Sequence, residues 1–172
     1  DAFMMNGLTG RKSVTYRRTH APVYADMNQR MLDSAVMLYG SDDTNRVELL
    51  KKYKVKYLLW TNRWLQNEFA IGSDGRILGF FDPLMVPAKV EYKTYLSNNG
   101  IKFAEAKTYL DPASRSDYPM YDVIVAMPAN PYYDRPWADG MQERLKEIKS
   151  FDGIAVDGTT VPLVKIYQVL IK

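Results

Sequence analysis

A short apolar segment constrains the fold of this 172-residue chain more than any other feature. Residues 122–127 read Asp-Val-Ile-Val-Ala-Met, and no polar side chain follows the aspartate within the segment. An apolar run of this length without alternation is typical of a strand that is buried on both faces of a sheet. The rest of the chain must therefore cover both faces of that sheet.

Helix-like and strand-like segments alternate along the chain. Asp26 is a good N-cap, Gln29 completes a capping box with it, and a broad apolar stripe runs from Met27 to a stop at Gly40. Patterns of this kind predict helices over 27–39, from a cap within 41–44 to about 53, and over 62–70, 90–99 and 137–150. Strands are predicted over 13–19, 22–25, 55–60, 76–81, 101–110, 122–127, 153–157 and 164–171.

This order of elements predicts an α/β fold in which a mixed sheet is flanked by helices as a layered sandwich. The length suits one domain over residues 1–172. Hydrophobic residues make up 47% of the chain and charged residues 25%, which is ordinary for a globular protein and excludes a disordered or collagen-like one. Because the chain opens with Asp1 and not Met, we expect a piece excised from something longer.

Several kinds of chemistry are excluded by residue content alone. The chain has no cysteine and a single histidine, His20, so thiol catalysis and a two-histidine metal site within one chain are impossible. No glycine-rich phosphate loop or hydrolase elbow occurs, and no apolar stretch approaches the ~20 residues of a membrane-spanning helix. We therefore predict no catalytic residue, no metal and no cofactor in this domain.

The densest group of polar residues lies where a predicted strand end meets the amino end of the helix that begins at Met27. Backbone N–H groups, the helix dipole and arginine side chains could together hold a phosphate or carboxylate there. The alternative is that Asp26 only caps its helix and pairs with an arginine. The candidate anion- or substrate-binding residues are Arg17, Arg18, Thr19, His20, Asp26 and Asn28.

The net charge of +3 is concentrated in the first twenty residues, and the remainder of the chain is balanced. A nucleic-acid-binding protein usually has a broader basic face, so we expect no nucleic-acid partner. An aromatic surface loop containing Tyr132, Tyr133 and Trp137 could instead stack on a sugar, lie at a membrane interface or meet a protein. The alternative for this loop is that one ring fills the core beneath it.

Three stretches of the sequence resemble the C-terminal region of archaeal membrane glycosyltransferases of the oligosaccharyltransferase type. They read THAPVYADMNQRMLDSAVMLYG, VELLKKYKVKYLLW and, at the end of the chain, VPLVKIYQVLIK. In that family an Arg-Thr stretch leads to an Ala-Asp-Asn motif, a helix and a Leu-Leu-Lys-Lys-Tyr segment. The resemblance covers about the first third and the last tenth of the chain, and the order of the stretches matches.

The resemblance implies an extracytoplasmic domain of a multi-spanning glycosyltransferase-like protein. The W-W-D-Y-G motif that contacts the acceptor in oligosaccharyltransferases is missing, so that role is not implied here. The family's catalytic carboxylates belong to the membrane-embedded part of the same chain, which would be the main partner, with a lipid-phosphate-linked sugar as a further one. The polar edge that would face this part contains Arg17, Arg18, Thr19, Asp26 and Asn28.

Two other functions fit the same residues. One is a protein- or carbohydrate-binding module, unrelated to glycosyl transfer, that uses the loop of Tyr132, Tyr133 and Trp137. The other is a free-standing small enzyme in which Arg17, Arg18 and His20 meet an anionic substrate.

Overall fold

The computed structural model describes residues 12–15, 24–61, 69–80, 84–109, 120–127 and 142–171. Its helices are α1 (Met27–Tyr39), α2 (Asp43–Lys52) and α3 (Val90–Asn98). Its strands are β1 (Tyr57–Thr61), β2 (Phe69–Ile71), β3 (Ile77–Phe80), β4 (Met85–Pro87), β5 (Lys102–Tyr109), β6 (Met120–Met127), β7 (Leu145–Ile154) and β8 (Thr160–Val169), with a 3-10 turn at Gln142–Arg144 before β7.

The strands form two three-stranded sheets and one hairpin. The first sheet has the order β1-β8-β7 and the second the order β4-β6-β5, while β2 and β3 pair with each other. All these pairings are antiparallel, and one isolated parallel bridge joins Arg76 to Lys107 of β5. The predicted α/β class, with helices packed beside sheets, is confirmed.

Helix α1 begins and ends where its sequence signals predict. The Asp26 side chain accepts the Gln29 backbone N–H at 3.0 Å, and the Gly40 N–H closes the helix on the Val36 carbonyl at 3.0 Å. The helix packs against α2, α3, β4 and β6, so residues 32–39 are buried around the whole helix and not only along a stripe. The central position of α1 explains why Asp33 and Ser34 are buried with its apolar residues.

The ends of helices α2 and α3 are also determined by residues close to them in the sequence. Asp42 caps α2 by accepting the Thr44 N–H at 2.8 Å. Lys51 and Lys52 lie in the last turn, where their positive charges interact favourably with the negative end of the helix dipole. Helix α3 ends at Asn98, and Gly100 follows two residues later with a φ of +70° that suits glycine. The Cα of Gly100 lies so close to Ser41 that a Cβ would collide with it. This contact brings the end of α3 to the start of α2.

Strand β6 is buried on both faces, as its apolar run predicts. It lies between β4 and β5, and its residues Val123, Ile124, Val125 and Ala126 are all buried. Residues of the first sheet, such as Tyr167 and Val169 of β8, pack against the same cluster that contains Ile124. Both sheets and the three helices therefore share one apolar core.

The predicted helix over 137–150 is wrong where the structure describes it, because residues 145–150 belong to β7. The apolar residues Leu145, Ile148, Phe151 and Ile154 recur every third position, which imitates a helical period. In the structure, pairing with β8 determines the conformation, and the register shifts once across Ile148, between Glu147 and Lys149, and once between Phe151 and Asp152. The extra residue at Ile148 changes the alternation of faces along β7, as a bulge does, so the period of three does not indicate a helix here.

Three other predicted elements also need correction. Residues 13–15 and 24–25, from the predicted strands over 13–19 and 22–25, are irregular or in a turn. Of the predicted helix over 62–70, residues 62–68 lie outside the described residues, and Phe69 and Ala70 are in β2.

The central position of β6 gives a test of the core. Ile124 is 0% exposed, so Ile124→Ala should lower the free energy of unfolding by about 2–5 kcal/mol, because it removes packed atoms and leaves a cavity. Urea denaturation followed by circular dichroism measures the change. Tyr121→Ala on the same strand is the control; because Tyr121 is 46% exposed, the loss should be less than half as large. Equal losses at both positions would contradict the placement of β6.

Candidate functional site

Two of the predicted anion-site residues are in the described part of the chain. Asp26 is exposed and caps α1 through the Gln29 backbone N–H, which fits the structural alternative considered for it. Asn28 is half-buried in the first turn of the same helix. The other predicted site residues lie outside the described residues: Arg17, Arg18, Thr19, His20, Tyr132, Tyr133 and Trp137.

The most concentrated polar group in the described structure surrounds a carboxylate that the sequence analysis did not select. Asp33, in the middle of α1, is 1% exposed. Its Oδ1 accepts hydrogen bonds from Tyr95 Oη at 2.8 Å and Gln29 Nε2 at 2.6 Å. Its Oδ2 accepts from Tyr53 Oη at 2.7 Å and Lys52 Nζ at 2.9 Å. We call these five residues the Asp33 cluster.

The Asp33 cluster draws on three helices. Gln29 and Asp33 are one turn apart on α1, so their side chains lie on the same face of the helix. Lys52 is the last residue of α2 and Tyr53 follows it, while Tyr95 comes from the middle of α3. The shared carboxylate therefore fixes how the three helices approach one another.

The electrostatics of the cluster keep Asp33 ionised. Burial alone would raise the pKa of its carboxyl, but the hydrogen bonds from Tyr53, Lys52, Tyr95 and Gln29 outweigh burial and lower that pKa below its ordinary value. The hydrogen bond to Asp33 raises the pKa of Lys52. Burial, together with the bond to the carboxylate, raises the pKa of both tyrosines.

These shifts decide what the cluster can do chemically. Near neutral pH the carboxylate has lost its proton, and Lys52 and the two tyrosines keep theirs, so each donor and acceptor has a fixed role. A general acid or base needs a pKa near the working pH, and no member of the cluster is shifted towards it. The cluster is therefore suited to positioning groups and not to proton transfer.

An open groove lies beside the Asp33 cluster, between α2 and α3. Its volume is about 360 Å³. Asn45 Nδ2 donates to Asn99 Oδ1 at 3.0 Å, and Asn99 Nδ2 donates to the Tyr95 carbonyl at 2.8 Å, so one wall is held by linked amides. The lining residues are Asn45, Glu48, Leu49, Lys52, Tyr95 and Asn99.

The sequence contained one signal for the cluster. Asp33 interrupts an otherwise apolar stretch of a helix, and an acidic residue that the core buries needs hydrogen-bond donors. The position of Gln29 one turn earlier is visible in the sequence as well. Tyr95 is 62 residues away from Asp33, and no local pattern connects the two.

Comparison of the chain with protein-family models, with curated proteins and with solved structures gave no match. None of the helices within the described residues combines the length and the hydropathy needed to cross a lipid bilayer. The function of the chain is therefore inferred from its residues and their geometry.

The ionised state of Asp33 gives a pH-dependent prediction. Asp33→Asn should reduce the free energy of unfolding by about 1.5–3 kcal/mol near neutral pH, as for hydrogen bonds that involve a charged group. Because the pKa of Asp33 is lowered in the folded state, the unfolded chain binds the proton first, and this stabilisation is lost as the pH falls. The difference between wild type and variant should shrink below about pH 5.

Urea titrations of both proteins at a series of pH values measure this difference. Asp122→Asn, which changes an exposed aspartate on β6, is the control and should alter the free energy of unfolding by less than about 0.5 kcal/mol near neutral pH. The difference in the free energy of unfolding between the wild type and the Asp33→Asn variant should not stay constant down to about pH 2. A constant difference would contradict the role assigned to the carboxylate.

Proposed function

We propose that this chain is the extracytoplasmic domain of an archaeal integral-membrane protein of the oligosaccharyltransferase-like class of glycosyltransferases. In this proposal the domain positions a lipid-phosphate-linked sugar or an acceptor, and the membrane-embedded part of the same chain carries out glycosyl transfer. The domain itself contributes binding and orientation.

The observation that carries the proposal is the contact between the sequence stretches on which the resemblance depends. The stretch over 19–40 contains α1, the stretch over 47–60 contains the second half of α2 and most of β1, and the stretch over 161–172 contains most of β8. Strands β1 and β8 pair directly, with Leu59 opposite Ile166. Two stretches from distant parts of the chain thus form one unit, which supports treating them as one resemblance and not as two chance similarities.

The packing of this unit supports the same proposal. Leu58 of β1 and Tyr167 of β8 both pack against the buried cluster that contains Val36 of α1. Arg30 Nη1 on α1 also donates to the Val14 carbonyl at 3.2 Å, which ties the segment 12–15 to the helix. The amino end of α1, where the resemblance implies a polar edge, is therefore anchored to the shared core.

The character of the Asp33 cluster supports a positioning role. The groups in it hold fixed protonation states near neutral pH, and they connect α1 to α2 and α3. A rigid frame is what a binding edge requires, because pre-ordered groups lose little conformational freedom when a ligand binds. In the proposal Arg17 and Arg18 supply the charge-assisted hydrogen bonds to phosphate, and Asn28 supplies an amide.

A second candidate is a protein-binding module, and exposed apolar residues favour it. Ile154, at the end of β7, is 81% exposed, and Val156 in the following turn is completely exposed. Apolar side chains at a hairpin tip can anchor a protein partner.

Fractionation of source cells, with a blot against this domain, separates the two candidates. A band larger than this chain in the membrane pellet supports the glycosyltransferase proposal. A band of the size of this chain in the soluble fraction overturns that proposal and favours the binding module.

The predicted phosphate contact can be tested directly. The Arg17→Ala/Arg18→Ala double variant should bind phosphatidylcholine vesicles containing a polyprenyl phosphate at least about fivefold more weakly than the wild type, because two charge-assisted donors are lost. Added salt should weaken the wild type as well. Co-sedimentation with vesicles measures the binding, and vesicles without polyprenyl phosphate give the background.

The matched control is the Lys51→Ala/Lys102→Ala double variant, which removes the same charge from two exposed positions on α2 and β5. It should bind like the wild type. Unchanged binding in the arginine variant, or an equal loss in the lysine variant, would contradict the predicted anion site. Thermal melting of each variant checks that it is folded.

A further inference from the structure

The groove between α2 and α3 has an electrically balanced lining. Glu48 and Lys52 are one helical turn apart on α2 and both line it, so a negative and a positive side chain lie side by side. The positive charge of Lys52 is also partly offset by Asp33, whose Oδ2 is 2.9 Å from Lys52 Nζ. The groove therefore does not attract an anion by net charge, in contrast to the predicted arginine site.

The same lining offers both kinds of hydrogen-bonding group. The Lys52 side chain is 56% exposed and carries three N–H donors, of which its bond to Asp33 uses one. Glu48 and Asn45 are exposed and provide carboxylate and amide oxygens as acceptors. A hydroxyl group can donate and accept, so a ligand with several hydroxyls suits this mixture.

Apolar surface completes the groove. Leu49 and the ring of Tyr95 both line it. The C–H face of a sugar ring can lie against aromatic and aliphatic carbon while its hydroxyls bond to the polar rim. The volume of about 360 Å³ is at the small end of the ~300–1,000 Å³ typical of ligand pockets.

From these observations we propose that the groove between α2 and α3 binds one ring of a neutral sugar. Glu48 and Asn45 bond to its hydroxyls from α2, and Lys52 donates to a ring substituent. Leu49 and Tyr95 pack against its carbon face. Asp33 preorganises the site because it holds Lys52 Nζ and Tyr95 Oη, one from each wall, at 2.9 Å and 2.8 Å.

This inference rests on described residues and is independent of the proposed glycosyltransferase role. The predicted phosphate site depends on Arg17 and Arg18, whereas the groove is assigned from described residues of α2, α3 and the end of α3. The Arg17→Ala/Arg18→Ala variant should therefore keep its affinity for a neutral sugar even if it loses polyprenyl phosphate, and failure of one proposal leaves the other testable.

The test is a titration of the ¹⁵N-labelled chain with methyl glycosides of glucose, galactose and N-acetylglucosamine, followed by NMR. At least one sugar should shift the backbone amides of residues 45–52 and 95–99 in a saturable way. Glu48→Ala should weaken that sugar at least about fivefold, as expected for the loss of a hydrogen bond to a charged group. Glu91→Ala, which removes an exposed carboxylate from α3 outside the groove, should leave the affinity unchanged.

Three results would overturn the inference. The first is the absence of saturable shifts in the groove with all three glycosides. The second is equal affinity of the Glu48→Ala and Glu91→Ala variants for the sugar that binds the wild type. The third is tighter groove binding of glucose 6-phosphate than of methyl glucoside, which would show an anion site in place of a neutral one.

Discussion

The buried carboxylate of Asp33 is the interaction on which the arrangement of the helices depends. An ionised group that has left water is very costly unless its oxygens accept hydrogen bonds from the protein. Four donors satisfy Asp33, and they come from α1, from the end of α2 and from α3. A displacement of any one helix would leave the buried charge of Asp33 without one of its donors. The cluster therefore favours one arrangement of the three helices over slightly shifted arrangements.

The same requirement explains why the groove has defined walls. Lys52 and Tyr95 line the groove on opposite sides, and each uses one polar atom to reach Asp33. The linked amides of Asn45 and Asn99 then join α2 to the end of α3 at the groove's rim. Stability and the proposed binding surface are thus produced by one set of contacts. Helix α1 buries Asp33 only because its whole circumference is covered. The helices α2 and α3 cover one side of it, and β4 and β6 cover the other.

Short sequence patterns predicted the features of the fold that depend on interactions between residues close together in the sequence. The caps at Asp26 and within 41–44, the stop at Gly40 and the apolar run of β6 each act within a few residues, and the structure contains all four. The Asp33 cluster could be predicted only in part, because the sequence shows a buried acid but not which distant hydroxyl reaches it. The predicted anion site around Arg17 stays a prediction.

Strand β7 illustrates the opposite case, in which a local signal points to the wrong structure. Its apolar residues have the spacing of a helix, but nine of its ten residues pair with β8. The exception is Ile148, which interrupts the ladder as a bulge does and is 46% exposed. Long-range hydrogen bonding therefore overrides an intrinsic preference, as is common for strands.

The order β1-β8-β7 has a consequence for how the chain is made. Strand β8 is the central strand of its sheet, yet it follows β1 by roughly a hundred residues, a loop whose closure carries a substantial entropy cost. During synthesis β1 has no partner from this sheet until Thr160–Val169 has left the ribosome, so the hairpin of β7 and β8 must form and dock last. The helices and β6 can pack earlier, and until β8 arrives the edge of β1 that β8 will cover is a surface through which the nascent chain can aggregate.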